Sequence, residues 1–493
     1  MRLACPELRL DCLPISAVTL NLDCRDEIIP ILRALQHLYG DVALRRELLG
    51  LVGEDVNPST SHKLGRRGLN YWEIGVLAGV RLGCNLDYDK LQDLAENHRR
   101  LRQIMGIGDW QTAEVDFDWR RLEDNLTKLR PETLKKINDL IVRAGHKLEP
   151  KAIASVRGDT FVVETNIHYP TESSLIGDGL RKVVTLAARL AVAQGLPGWR
   201  QHEHWLHKVK KLVREIGRAS RIKNQAGQAR LQAGYKELLQ LAGELLQRGR
   251  QLAATVQLPE NLSVLDLAGG AGAKELLHYA DLTAKVCDTA RRRVLDGETV
   301  PNEDKIFSIF EPHTELIKRG KQPNPTQFGH NTLVIEDAVG FVVDYRVLGK
   351  GVLDQDVVVP LMRDLQDRFG GKIKSASFDR SFHTPENQKD LAEIVRTPCI
   401  VAKGQEQGRQ QQKEGTVAFR KARQHHPGVE SAIGALQAGN GLKRCRDRSE
   451  PGYERYVALG ILGRNLQTLG KLLLARDQAD CQAAKSKRKR ATG

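Results

Sequence analysis

Apolar residues recur at helical spacing through RDEIIPILRALQHLYG, and the pattern stops at Gly40, which predicts an amphipathic helix. LNYWEIGVLAGVRLG (Leu69–Gly83) predicts a short, strongly apolar helix introduced by HKLGRRG. DYDKLQDLAENHRRLRQIMG predicts another, with an aspartate cap and a basic C-terminal half. Residues 25 to about 150 therefore read as all-helical. Small helices on short turns with arginine-rich ends suit a helix-turn-helix-like DNA reader, and they suit a helical dimerisation domain equally.

The texture changes at SVRGDTFVVETNIHYP (Ser155–Pro170), where Thr, Phe, Val and Val predict a strand closed by Pro170. From Gly179 to about Glu298 long helices return, among them HKVKKLVREIGRAS and YKELLQLAGELLQRGRQLAATV, with the period and charge mix of solvated amphipathic helices. NTLVIEDAVGFVVDYRVLG then predicts a hairpin around Asp337–Gly340. DQDVVVPLMRDLQDRFG reads as a helix, KIKSASFD as a strand, TPENQKDLAEIV as a helix and TPCIVAKG as a strand. QEQGRQQQKEG is a polar loop. TVAFRKARQHHPGVESAIGALQAG is helical with a restart at Pro427, and YERYVALGILGRNLQTLGKLLLA is a final amphipathic helix.

With the helical stretch set aside, the order is βββαβαβα. That is the order of an α/β, RNase H-like core, a mixed sheet that is antiparallel first and parallel after. The division expected is a helical DNA-binding or dimerisation domain over residues 1–150, a first core strand over 151–180, and a helical insertion over 181–303. The rest of the core follows over 304–475 and a basic tail over 476–493. SVLDLAGGAGAKELL (Ser263–Leu277) has the strand, acid, Gly-rich turn and helix of a methyltransferase motif, but a lone Gly-rich turn is a weak signal. CDTARRRVLDGETVPNEDK does not continue a strand–helix alternation. Gly269, Gly270 and Gly272 therefore read as a loop between helices of the insertion.

Composition adds a partner. The chain of 493 residues carries 76 Lys and Arg against 61 Asp and Glu, a formal charge of +15. That excess favours a polyanion, nucleic acid first and a membrane surface second. KSKRKR (Lys485–Arg490) supplies only part of it, and Arg291–Arg293 and FRKARQHH are spread along the chain. No apolar run approaches the roughly 20 residues that span a bilayer, and the N-terminus lacks a signal-peptide layout. The expected location is cytoplasmic, on the nucleoid. The eight cysteines form no CxxC pair, so they read as reduced residues, and a zinc site of Cys5, Cys12 and Cys24 is the lesser alternative.

Two aspartates occupy matching strand ends. Asp159 stands at the head of the first strand and Asp379 ends the fourth; Glu430, in HHPGVESAIGALQ, is the acid expected from the helix after the last strand. Three carboxylates suit phosphodiester chemistry, because two divalent ions about 3.5–4 Å apart activate water and stabilise both entering and leaving oxygens. Each acid also has a plainer reading: a turn residue for Asp159, a strand–helix junction for Asp379, a solvated helix charge for Glu430. Asp337, Asp344, Glu164 and Glu172 are rivals that pattern alone leaves in play. Arg157, His168, Arg380, His383, Lys403, Arg420 and Arg423 are candidate phosphate contacts, with surface solvation as the alternative.

At these residues a resemblance enters. GDTFVVETNIHYPTESSLIGDGLR, IFSIFEPHTELIKRGK, FGHNTLVIED, SFDRSFHTPEN and HPGVESAIGALQ, with GLKRC and GYERYVALGILGRNLQTLG after it, resemble the DDE transposases of bacterial insertion sequences, ISNCY type. RRGLNYWEIGVLAGVRLGCNLDYDKLQDLAENHRRLRQIMG resembles that family's N-terminal helical domain, so the likeness covers about residues 25–475. It implies that Asp159, Asp379 and Glu430 are a catalytic, metal-binding triad for Mg2+, with Mn2+ able to substitute. It also implies a helical insertion after the first strand, double-stranded DNA as partner at element ends and target, and a homodimer or larger assembly on DNA. Lys318, Lys321 and His330 become candidate DNA contacts through the likeness of EPHTELIKRGK. Related families often place Tyr, then Arg three residues on, then Glu four residues later. Here Arg423 and His426 stand at those positions before Glu430, and both remain candidates for a DNA phosphate. The readings kept beside a transposase are an RNase H-like nuclease or resolvase without strand transfer, and a non-catalytic DNA-binding protein.

Overall fold

The computed structural model describes residues 2–6, 10–57, 68–108, 117–256, 264–318, 325–402 and 414–491. In chain order, seven helices come first: α1 (Ile28–Gly40), α2 (Val42–Val56), α3 (Tyr71–Gly83), α4 (Tyr88–Asn97), α5 (Arg99–Met105), α6 (Trp119–Leu126) and α7 (Pro131–Leu148). Strand β1 (Ser155–Glu164) precedes four long helices, α8 (Glu172–Ala193), α9 (His202–Ala219), α10 (Gln225–Thr255) and α11 (Val264–Ala290). Then follow β2 (Glu315–Lys318), β3 (Thr326–Asp337), β4 (Val342–Val347), α12 (Asp354–Arg368), β5 (Ser375–Phe378), α13 (Pro385–Ile394) and β6 (Thr397–Ile400). The last three are α14 (Val417–His425), α15 (Gly428–Ala438) and α16 (Glu450–Ala491). The chain divides into two compact units, one of Met1–Asn166 with Gly329–Gly493 and one of Ile167–Phe328.

In the first unit, the N-terminal helices and the sheet share one apolar core. The spine of that core is α16. Tyr456, Val457, Leu459, Ile461, Leu462, Leu466 and Leu469 point around the whole helix and all are buried. The sequence predicts an amphipathic helix here, with one face in solvent. The structure instead surrounds this stretch, with α1, α3 and α7 all packed against it. Glycines permit the closest approaches. A Cβ on Gly463 would lie 2.5 Å from the Gly83 nitrogen, and one on Gly470 would lie 1.8 Å from the Pro30 carbonyl oxygen. Because the obstacle at Gly470 is backbone, no side chain can swing aside. Gly470→Ala is expected to destabilise the protein by about 1–3 kcal/mol through overpacking, read as a lower urea midpoint; an unchanged midpoint would show that α1 and α16 separate freely.

The second helix of the N-terminal trio predicted from sequence, α3, is a core element. Asn70 caps it, accepting from the Glu73 N–H at 2.8 Å while the Glu73 carboxylate accepts from the Asn70 N–H at 2.8 Å. Its Trp72 is fully buried and donates its indole N–H to the Ile104 carbonyl at 2.7 Å. Nothing of this helix is left to enter a DNA groove.

The sheet is mixed, with order β2-β3-β1-β5-β6 and β4 on the other flank of β3. β1–β3 and β3–β4 pair antiparallel, and β1–β5 and β5–β6 pair parallel. The predicted hairpin is present at β3–β4. Asp337 shapes its turn by accepting the N–H groups of Val339, Gly340 and Phe341 at 2.9, 2.9 and 3.0 Å. Gly340 supplies the left-handed backbone (φ +102°) that this turn requires. Strand β2, only four residues long, is an addition to the sequence reading.

The second unit is a helical assembly with its own core, to which α8, α9, α10 and α11 all contribute. Thr171 caps α8 through a reciprocal pair with Ser174. The Gly-rich segment expected to be a loop is instead helical, since α11 runs from Val264 straight through Gly269, Gly270 and Gly272. The tight position in this segment is Gly269, where a Cβ would lie 2.6 Å from Gln194 Nε2, whereas one on Gly272 would make an ordinary contact with Leu190 at 3.6 Å. No helix among the described residues is long and apolar enough to cross a membrane.

Candidate functional site

Strand β1 starts five residues before Thr160, so Asp159 lies within the strand and not at its head. Cross-strand pairing explains why the polar SVRGD segment is extended: Arg157 stands opposite Glu336 on β3 and ion-pairs with it at 2.6 Å. On the other side, β1 and β5 run parallel in register, from Ser155 opposite Ser375 to Gly158 opposite Phe378. Gly158 leaves room for the Phe378 ring, whose Cε1 would be 2.7 Å from any Cβ placed there. The next residue on each strand is an aspartate. Asp379 continues the strand direction (φ −69°, ψ 167°) before the turn at Arg380–Phe382. Asp159 and Asp379 thus hold neighbouring positions on adjacent strands, whose axes are about 4.8 Å apart. Asp159 is half-buried and Asp379 exposed. This is the carboxyl end of a parallel strand pair, where open α/β sheets bind ligands.

Glu430 comes to this region on α15. Pro427 caps that helix and Glu430 lies in its first turn, exposed. Two contacts bind the junction of α14 and α15 to β1. Arg157 donates from Nη1 to the His425 carbonyl at 2.9 Å. Its guanidinium also lies so close over Gly428 that a Cβ would meet Nη1 at 1.9 Å. His426, half-buried, sits within electrostatic reach of Asp379, Glu430 and Arg157 together. Burial is the main influence on its imidazole and holds its pKa below the ordinary histidine value; Arg157 acts in the same direction, and the two carboxylates and a hydrogen bond with the Ser377 backbone oppose it. Its Nδ1 is buried and has no hydrogen-bond partner.

The rival acids are committed elsewhere. Asp337 is fully buried, holds the β3–β4 turn, and meets His146 Nε2 at 2.8 Å. Asp344 is buried against Lys135 at 2.9 Å. Glu164 pairs with Arg444 at 3.3 Å, and Glu172 with Arg293 at 2.6 Å in the second unit. Sequence reading passed over Glu336. It is 1% exposed, is held by Arg157 and faces Arg464 at 3.9 Å. Burial raises its pKa, with the two arginines working against the rise. Alternation sets Glu336 and Asp337 on opposite faces of β3, and what marks Glu336 out is its cross-strand partner Arg157, remote in sequence.

The basic candidates separate into groups. Arg380, Arg420 and Arg423 are exposed on the first unit. Arg157 is turned inward to Glu336 and His425, which makes it an anchor for α15. His330 is only 6% exposed and stacks edgewise on Tyr453 at 5.0 Å, and His383 is 5% exposed, so neither presents its ring to a phosphate. His168 belongs to the second unit, where it faces Asp178 at 3.6 Å. Lys318 is exposed at the end of β2. Lys403 and Lys321 lie outside the described residues.

Among the described residues, no group of three or more His, Cys, Asp and Glu side chains is gathered closely enough to hold a metal ion. Asp159 and Asp379 each accept the N–H of the following residue, Thr160 and Arg380, at 2.7 Å. Carboxylates brought to one end of a sheet repel one another unless a cation joins them. In chemistry the donor set fits a hard divalent ion: two short aspartates on rigid strands and a longer glutamate on a helix, all oxygen ligands. No protein-family model, curated protein or solved structure matches the chain.

Proposed function

We propose that this chain is a metal-dependent DNA transposase with an RNase H-like catalytic core, acting through Asp159, Asp379 and Glu430. The observation that supports the reading most is the register of β1 and β5, which makes Asp159 and Asp379 next-door neighbours at a parallel strand end, with the helix of Glu430 anchored to the same strand by Arg157. Mg2+, or Mn2+ in its place, would supply an activated water and charge neutralisation at the phosphodiester. Asp159 and Asp379 offer oxygen ligands from positions fixed by the sheet, and Glu430 offers a third from α15. Arg157 keeps that helix in place. Burial lowers the pKa of His426, which disfavours a positive charge beside Asp379 and Glu430. Exposed Arg380, Arg420 and Arg423 hold phosphate oxygens without reading sequence. Water would break the P–O3′ bond at the element end and free a 3′-hydroxyl; that hydroxyl would then attack a target phosphorus at the same acids, with the target strand's own 3′-oxygen leaving, so no serine or tyrosine nucleophile is required. Double-stranded DNA is the partner, a homodimer or larger assembly brings two ends together, and the site of action is the nucleoid.

The test is plasmid nicking together with joining of a labelled duplex that carries a free 3′-hydroxyl. Both reactions are expected with Mg2+ or Mn2+, and EDTA should stop both. Nicking without joining would make the chain a nuclease or resolvase, and duplex binding with neither reaction would make it a non-catalytic DNA-binding protein.

A further inference from the structure

The second unit carries a concentrated positive charge that the catalytic reading does not use. Between His202 and Lys223 there are seven Lys and Arg and two Glu, a net +5 of the chain's +15. The fold decides where that charge goes. Val209, Leu212, Ile216 and Ala219 are the buried face of α9. Lys210, Arg214 and Arg218, at successive four-residue steps, are all exposed, and Arg221 continues the line just past the helix end. The three helical positions make a ridge about 12 Å long at 1.5 Å per residue. Among the described residues none of the four has a carboxylate partner, whereas the flanking Lys208 and Lys211 reach Glu237 and Glu215 at 3.9 and 4.0 Å. Unpaired charges in a row on one helix face repel one another, which favours a polyanion that satisfies them together.

Beside the ridge is a groove of about 530 Å³ between α8 and α9, to which Lys210 and Arg214 contribute along with Arg181 and His207. Asp178 neutralises part of the far wall through Arg181 at 3.3 Å, so the positive edge of the groove is the α9 side.

We propose that the α9 ridge and its groove are a docking surface for the phosphate backbone of duplex DNA, engaged without regard to base sequence. A membrane fits less well. An interfacial helix must spend its apolar face on lipid, and the apolar face of α9 is already inside the unit. The identification of the polyanion as DNA rests on the transposase reading; the electrostatic surface does not.

The experiment uses the full chain and a fluorescent duplex of arbitrary sequence, with anisotropy measured across a salt series. Each phosphate contact contributes about 0.9 to the slope of log affinity against log salt. Lys210→Glu with Arg214→Glu and Arg218→Glu should therefore flatten the slope by about 2–3 and weaken binding at least about tenfold at low salt. The corresponding triple glutamine variant, which leaves the buried face untouched and adds no negative charge, should show the same flattening with a smaller loss. If both variants keep the wild-type slope, or if the wild-type chain binds phosphatidylserine vesicles and not the duplex, the proposal is overturned. Wild-type protein that binds DNA through this ridge but never nicks it would sink the transposase reading and leave the docking surface standing.

Discussion

Asp379→Asn is expected to lower DNA nicking and joining by at least about a thousandfold, about 4 kcal/mol of lost transition-state stabilisation, while duplex binding stays within about twofold of wild type. The substitution is chosen to separate chemistry from folding. Asp379 is exposed, and its carboxylate accepts the Arg380 N–H at 2.7 Å at the head of the following turn. Asparagine accepts the same hydrogen bond and caps turns as well as aspartate does. What it lacks is the negative charge that holds a hard cation. The variant should therefore melt with the wild type and bind duplex like it, yet leave plasmid intact with Mg2+ and with Mn2+. A variant that nicks at the wild-type rate would remove Asp379 from the chemistry, and the neighbouring register of β1 and β5 would then need another explanation.

The second large effect concerns stability. Arg81 lies on α3 with 2% of its side chain exposed, and Asp447, 8% exposed, binds it by two hydrogen bonds at 2.5 and 3.1 Å. Burial by itself works against the guanidinium charge, but Asp447 more than offsets it, and the pKa stands above the ordinary arginine value. The guanidinium also stacks over the Tyr88 ring, 3.9 Å from its centroid. Asp447→Ala removes one partner and leaves the other charged, buried and uncompensated, which costs about 3–5 kcal/mol. Replacing both, with Arg81→Met and Asp447→Leu, should recover most of that loss, since well-packed apolar groups substitute for a buried pair with little penalty. Urea unfolding of Asp447→Ala and of the double variant measures this directly. A single variant that loses less than about 1 kcal/mol would mean that water reaches Arg81.

How far the sequence reached depends on the kind of signal each element carried. The hairpin at Asp337–Gly340 was legible because an Asp and a Gly flank a turn between two β-rich runs. The strand ending at Phe378 was legible because Thr384–Pro385 caps the next helix so clearly, with Thr384 accepting the Asn387 N–H at 3.0 Å. β2 was missed because four residues give too little alternation to register. The extended start of β1 was missed because Asp159 reads as the head of the strand, and the partners that extend it through Arg157 and Gly158, Glu336 and Phe378, lie far along the chain. α16 was predicted as a helix but not as a buried one; its small residues looked neutral, whereas Gly463 and Gly470 are the points where other backbones come closest. At the candidate site, the acids were legible by type and order. The inward turn of Arg157, the burial of His330 and His383, and the place of Glu336 were not, because each depends on a cross-strand or helix partner remote in sequence.

The burial of α16 has a consequence for how the protein is made. Helices α1 and α3 leave the ribosome about four hundred residues ahead of the segment that covers their apolar faces. At about 5–20 residues per second, that interval is roughly 20–80 s. Throughout it, the faces of α1 and α3 that pack on α16 stay uncovered, so synthesis stalled before Glu450 releases a sticky product.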